Sequence, residues 1–110
     1  MADVLQWTDR AKKEYDKLLE YLYEEWGPEI TKRVVNEINY TINRIQNAPE
    51  QFPVFLKNKR YAVVASPQTS IFFKIKPDAI EITSVFDNRQ NPRKRKFNIF
   101  SLKLFLAQLQ

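Results

Sequence analysis

The sequence predicts an α+β fold: an N-terminal strand, then an antiparallel helical hairpin packed on a four-stranded, mostly antiparallel sheet. Two observations carry this. Two amphipathic stripes with helical spacing flank the pair Gly27-Pro28. After Pro53 the apolar period changes from that of a helix to two, as strands require.

Val4-Leu5-Gln6-Trp7 is short, β-prone and bounded by polar residues, and reads as the first strand. Thr8 or Asp9 then offers a side-chain oxygen to the free N–H groups of a helix. Ala11, Tyr15, Leu18, Leu19, Leu22 and Trp26 form one stripe on that helix. Gly27 suits the position just past a helix, and Pro28 suits the first turn of the next. Ile30, Val34, Ile38, Ile42 (or Thr41) and Ile45 form the second stripe, which ends before Asn47-Ala48-Pro49. A two-residue break makes the helices antiparallel neighbours.

Tyr61–Ala65, Ser70–Lys76 and Ile80–Phe86 read as strands joined by short turns at Ser66-Pro67-Gln68 and Pro77-Asp78, hence antiparallel. Strict alternation places Ile80, Ile82, Ser84 and Phe86 on one face of the last strand, and Glu81, Thr83 and Val85 on the other. Phe72 and Phe73 point to opposite faces, as do Arg60 and Tyr61. The segment 98-NIFSLKLFLAQLQ-110 alternates like a strand at Phe100, Leu102, Leu104 and Leu106, yet Ile99, Leu102, Leu106 and Leu109 are spaced like a helix. Its role, and whether all of it is native sequence, stay open. The 110 residues are expected to form a single domain.

Composition narrows the chemistry. Apolar content of 44% with 28% charged residues is that of a globular chain. There is no cysteine, which excludes disulfides and thiolate chemistry, and no histidine, the usual general base and nitrogen ligand. No metal site and no cofactor is expected. The start, MADVLQW, lacks the form of a signal peptide, and no apolar run approaches a membrane span. A cytoplasmic protein is the expectation. The net charge of +5 is uneven: residues 1–51 hold 7 Lys/Arg and 10 Asp/Glu, whereas residues 52–110 hold 11 and 3. A polyanion or an acidic protein suits such a second half as partner.

The order of these elements, with 48-APEQFP-53, 59-KRYAVV-64, 69-TSIFFKIK-76, 80-IEITSVF-86 and 87-DNRQNP-92, resembles the RelE/ParE superfamily over about residues 4–93. These are toxins of type II toxin–antitoxin modules, also known as plasmid stabilisation proteins. The resemblance implies an antitoxin partner whose extended or helical segment wraps the toxin in a hetero-oligomer, and an effect of arrested growth. One branch cuts messenger RNA on the ribosome, using basic residues on the sheet with a Tyr, His or Glu for proton transfer. The other inhibits DNA gyrase and is not known to need such a constellation.

Position by position, Arg60 matches the arginine opening the family's second strand, and Arg89 the arginine just past the last. Lys57 and Lys59 fall where the ribonuclease branch has basic residues. Asp87 stands where several ribonucleases have His or another polar side chain. No tyrosine follows Phe86, and Phe97, where a catalytic aromatic would fall, exchanges no proton.

RNA cleavage through the 2′-hydroxyl needs that oxygen activated, the phosphate charge stabilised and the leaving oxygen protonated. Arg60 and Arg89 suit the second task, since a guanidinium fork binds two phosphate oxygens. Glu81 and Asp87 are the carboxylates available as bases. Lys57, Lys59, Arg93, Lys94, Arg95 and Lys96 are candidates for nucleic-acid backbone contact. Against this stand plainer readings: salt bridges of Arg60 or Arg89 with Asp87 or Glu81, and a solvated tail at 93-RKRK-96. The missing acid–base residues tilt the expectation towards a gyrase-directed toxin. A ribosome-dependent ribonuclease and an inactive relative kept as a binding module are the alternatives.

Overall fold

The computed structural model describes residues 4–65 and 68–89. Along them run β1 (Val4–Trp7), α1 (Asp9–Trp26), α2 (Pro28–Asn47), a short 3-10 turn (Pro49–Gln51), β2 (Val54–Leu56), β3 (Lys59–Val63), β4 (Thr69–Ile75) and β5 (Ala79–Asp87). Thr8 caps α1, its side chain accepting from the Ala11 N–H at 3.0 Å. The Gly27 N–H closes the helix onto the carbonyls of Leu22 and Tyr23, and Pro28 opens α2. Gly27 holds φ +88 and ψ 174, a backbone state that side chains disfavour strongly.

The helical hairpin and the α+β class are as expected, but the sheet has five strands rather than four, in the order β1-β5-β4-β3-β2. The added strand is β2. It has three residues and pairs antiparallel with β3 across the two-residue turn Lys57-Asn58. Three residues are too few to display a period. β1 pairs parallel to β5, and the remaining neighbours are antiparallel.

The expected alternation of the last strand breaks at Thr83. Phe72 pairs with Ser84 and Phe73 with Ile82, which leaves Thr83 as an extra residue, a β-bulge. The strand's faces therefore exchange beyond it. Ile80, Ile82, Val85 and Asp87 are buried, whereas Ser84 and Phe86 are only partly so. Ser84 and Phe86 do not share the face of Ile80 and Ile82.

The core lies between the helices and one sheet face. Ala11, Leu18 and Leu22 of α1 and Val34, Ile38 and Ile45 of α2 meet Ala62, Ile71, Phe73, Ile80, Ile82 and Val85. Trp26, the last residue of the first stripe, is not in it and stays 52% exposed. On the far face Phe55 packs edge-on against Phe72 at 4.9 Å between centroids, and Tyr61 lies at 6.2 Å from Phe72. Residue 66 and Pro67 of the expected turn, and both readings of 98–110, lie outside the described residues.

Candidate functional site at the end of the last strand

β5 runs inward to its last residue. The bulge turns Asp87 towards the core, where its side chain is fully buried. A buried carboxylate needs its lone pairs satisfied. Arg89 supplies this from two residues on: Nη2 donates to Asp87 Oδ2 at 2.7 Å, Nε to Oδ1 at 3.1 Å, and the backbone N–H to Oδ1 at 2.8 Å. Thr69, paired with Asp87 across the sheet, donates its hydroxyl to Oδ2 at 2.5 Å and accepts from Arg89 Nη2 at 3.2 Å. The fork geometry is the bidentate arrangement that makes Arg–carboxylate pairs strong. The Arg89 side chain retains 12% exposure.

Arg60 is far from this cluster. It shares the helix-facing side of β3 with Ala62, and its Nη1 donates to the carbonyls of Phe52 at 2.6 Å and Glu50 at 3.3 Å. It thus ties down the 3-10 turn that follows α2. Arg60 pairs with Phe73, whereas Thr69 pairs with Asp87. Four residues of β4 separate the two positions, about 13 Å along the strand. The fold does not bring Arg60 and Arg89 together.

The other candidates scatter as well. Glu81 lies on the far face in a salt bridge with Lys76 at 3.0 Å. Lys59 lines that face, and Lys57 sits in the β2–β3 turn with φ 49. Arg93, Lys94, Arg95 and Lys96 lie outside the described residues, as does Phe97. Among the described residues no group of three His, Cys, Asp or Glu is placed to hold a metal ion.

Two features escaped sequence reasoning. Beyond the end of β1 the outer edge of β5 has no strand partner among the described residues, and α1 supplies an acceptor: Glu14 Oε1 accepts from the Val85 N–H at 3.0 Å and from the Ser84 hydroxyl at 2.7 Å. Arg10 pairs with the other oxygen of Glu14 at 3.1 Å. Arg10, Glu14 and Ser84 border a hollow of about 100 Å³ on the far face, together with Lys59, Phe72 and Phe86. The Arg10–Glu14 spacing marks only a pair on one helix face; nothing local points Glu14 at the sheet, since Ser84 and Val85 lie about seventy residues on. The second is a cleft of about 350 Å³ between Trp26, Gln68, Asn88 and Arg89.

The family model described as the ParE toxin of type II toxin–antitoxin system, parDE, matches residues 5–92. Among curated protein sequences none matches the chain. The chromosomal ParDE system of P. aeruginosa contains a chain that is 21% identical, superposes with a TM-score of 0.68 and covers 78% of this chain and 96% of its own. A substituted E. coli RelE toxin in the free state is 14% identical, with a TM-score of 0.56 and coverage of 83% and 88%. The RelBE2 toxin–antitoxin complex of Mycobacterium tuberculosis gives 13% identity, a TM-score of 0.53 and coverage of 79% and 99%. At these identities the likeness is one of fold.

Proposed function

Since the chain belongs to the ParE toxin family of type II toxin–antitoxin modules, we propose that it arrests growth by inhibiting DNA gyrase and performs no chemistry of its own. Toxin and antitoxin partner follow from the family. The target is our reading, and one observation carries it: the candidate groups Arg60, Glu81, Asp87 and Arg89 are committed to partners within the fold. Arg89 and Asp87 neutralise each other, Arg60 holds two backbone carbonyls, and Glu81 pairs with Lys76. An acid–base ribonuclease needs a proton acceptor and a donor aimed at one point, and these candidates face different sides of the sheet.

A second reading, a ribosome-dependent ribonuclease, has the far-face hollow in its favour. There Lys59 and Arg10 supply positive charge beside the Glu14 carboxylate, and Phe72 and Phe86 offer apolar surface. Glu14, rather than Asp87 or Glu81, would then be the base, which requires it to give up the Ser84 hydroxyl or Arg10 that it holds here. The proposed compartment is the cytoplasm, where either target works; no described helix is long and apolar enough to cross a membrane.

The test is expression without the partner, followed by growth, transcript integrity and plasmid supercoiling in the same cells. Blocked supercoiling with whole transcripts is the expected result. Robust cutting on ribosomes with normal supercoiling overturns the proposal in favour of the second reading.

A further inference from the structure

Arg89 is held from one side only. Its Nε and Nη2 grip the Asp87 carboxylate, and Nη2 also reaches the Thr69 hydroxyl. Nη1, with two N–H donors, has no partner among the described residues and is not sealed from solvent. The guanidinium is thus fixed before any ligand arrives, with one edge still able to donate. That edge belongs to a side chain that walls a cleft of about 350 Å³ with Trp26, Gln68 and Asn88.

Each wall offers a different contact. Trp26 ends the first helical stripe half in solvent, and an indole presents an apolar face and an N–H donor. Gln68 and Asn88 carry carboxamides, each with donor and acceptor. Their backbones are fixed to each other, the Asn88 N–H donating to the Gln68 carbonyl at 3.1 Å. Arg89 brings little net charge, because Asp87 balances it at 2.7 Å, and no other charged side chain among the described residues lines the cleft. A nucleic-acid backbone is held by uncompensated cations, which this lining lacks. A peptide main chain is held by donors and acceptors together, which the carboxamides and Nη1 supply. Trp and Arg are also the side chains that most often carry the energy of a protein interface, and rigid ones lose least on binding.

We propose that this cleft binds an extended, uncharged segment of the antitoxin. One apolar side chain lies on the Trp26 indole, and the main chain is held by Arg89 Nη1 and the Gln68 and Asn88 carboxamides. The occupant is the antitoxin because the family supplies that protein as partner; nothing in the proposal depends on the target. The segment is extended because the cleft is too small to seat a helix, whose body is about 10 Å across.

Fluorotryptophan incorporated into the Trp7→Phe chain gives Trp26 a fluorine resonance of its own. The full-length cognate antitoxin, unlabelled, is titrated in. The resonance is expected to move and to lose its solvent-isotope shift as the complex forms. In parallel, Trp26→Ala should raise the Kd for the antitoxin about 30-fold, the scale of an interface hot spot. Gln68→Ala should raise it about two- to tenfold, the scale of a hydrogen bond. Circular dichroism and thermal unfolding verify that each free variant is folded. Both losses should be equal at about 0.05 and about 0.5 M salt, since the lining carries no net charge. An unmoved resonance in the complex, or an unchanged Kd for Trp26→Ala, overturns the proposal. A loss that vanishes at the higher salt means a charged occupant and overturns it as well. If gyrase or a single-stranded oligonucleotide moves the resonance and the antitoxin does not, the cleft serves the target, and the assignment to the antitoxin is wrong.

Discussion

The carboxylate of Glu14 does the work of a strand for Val85: it receives the backbone N–H at 3.0 Å, past the point where β1 ends. The same oxygen takes the Ser84 hydroxyl at 2.7 Å. Removing it leaves a sheet N–H and a hydroxyl without an acceptor, a loss of about 1–3 kcal/mol. Glu14→Ala is expected to lower the urea midpoint accordingly with an unchanged m-value. Glu14→Gln keeps an acceptor oxygen and should lose less. A Glu14→Ala chain as stable as the parent would remove Glu14 from the account of the sheet edge.

Arg89 and Asp87 stand or fall together. Because the carboxylate is fully buried, Arg89→Ala leaves an uncompensated charge and is expected to cost about 3–5 kcal/mol. Loss of toxicity in that variant is therefore no evidence of target contact. The pair Arg89→Met with Asp87→Leu removes both charges and should recover most of the stability. If that folded double variant remains fully toxic, Arg89 serves the fold alone. If it is folded and harmless, Arg89 reaches the target.

Gly27 offers a cleaner backbone test. A Cβ built there meets nothing within 4 Å, so Gly27→Ala changes strain and not packing. At φ +88 and ψ 174 the expected cost is about 1–3 kcal/mol. Thermal unfolding of the variant measures it, and an unchanged Tm would mean that the helix junction relaxes freely.

Tyr15 gives a pH dependence. Burial, and secondarily the charge of Asp16, raises its pKa above 10.0; its ring lies 5.3 Å from Trp7. The folded state holds the phenolic proton after the unfolded state has released it. Its contribution is therefore fully present below pH 10.0 and is lost as the pH rises through the folded-state value. The tyrosinate absorbance that Tyr15→Phe removes should appear above pH 10.0 in the parent, and the same substitution should flatten the alkaline fall in stability.

How far the residues alone disclosed this structure depends on how far each signal reaches along the chain. The hairpin was legible because its stripes and the Gly27-Pro28 break are local. β2 was not, because three residues carry no period and its existence rests on pairing with β3. The Thr83 bulge was invisible for the same reason, since register belongs to two strands at once. It reversed the faces of Ser84 and Phe86 and sent Asp87 inward. The position of Arg89 was readable from the family resemblance, and its bond to Asp87 stood among the plainer alternatives. That Arg60 faces the helices and the 3-10 turn followed only from the three-dimensional course of the chain.

The parallel pairing of β1 with β5 sets an order on assembly at the ribosome. Contacts there join residues about 75 positions apart, as between Thr8 and Thr83. The helical hairpin needs only neighbouring segments and can form while the rest is still being translated. β1 has no strand to pair with until β5 has emerged, and such distant closures are the slow ones. A nascent chain therefore holds the complete hairpin before it has a finished sheet, and the Asp87–Arg89–Thr69 cluster is completed only after Arg89 has emerged. A partner that recognises the sheet finds its surface only on chains that have cleared this last step.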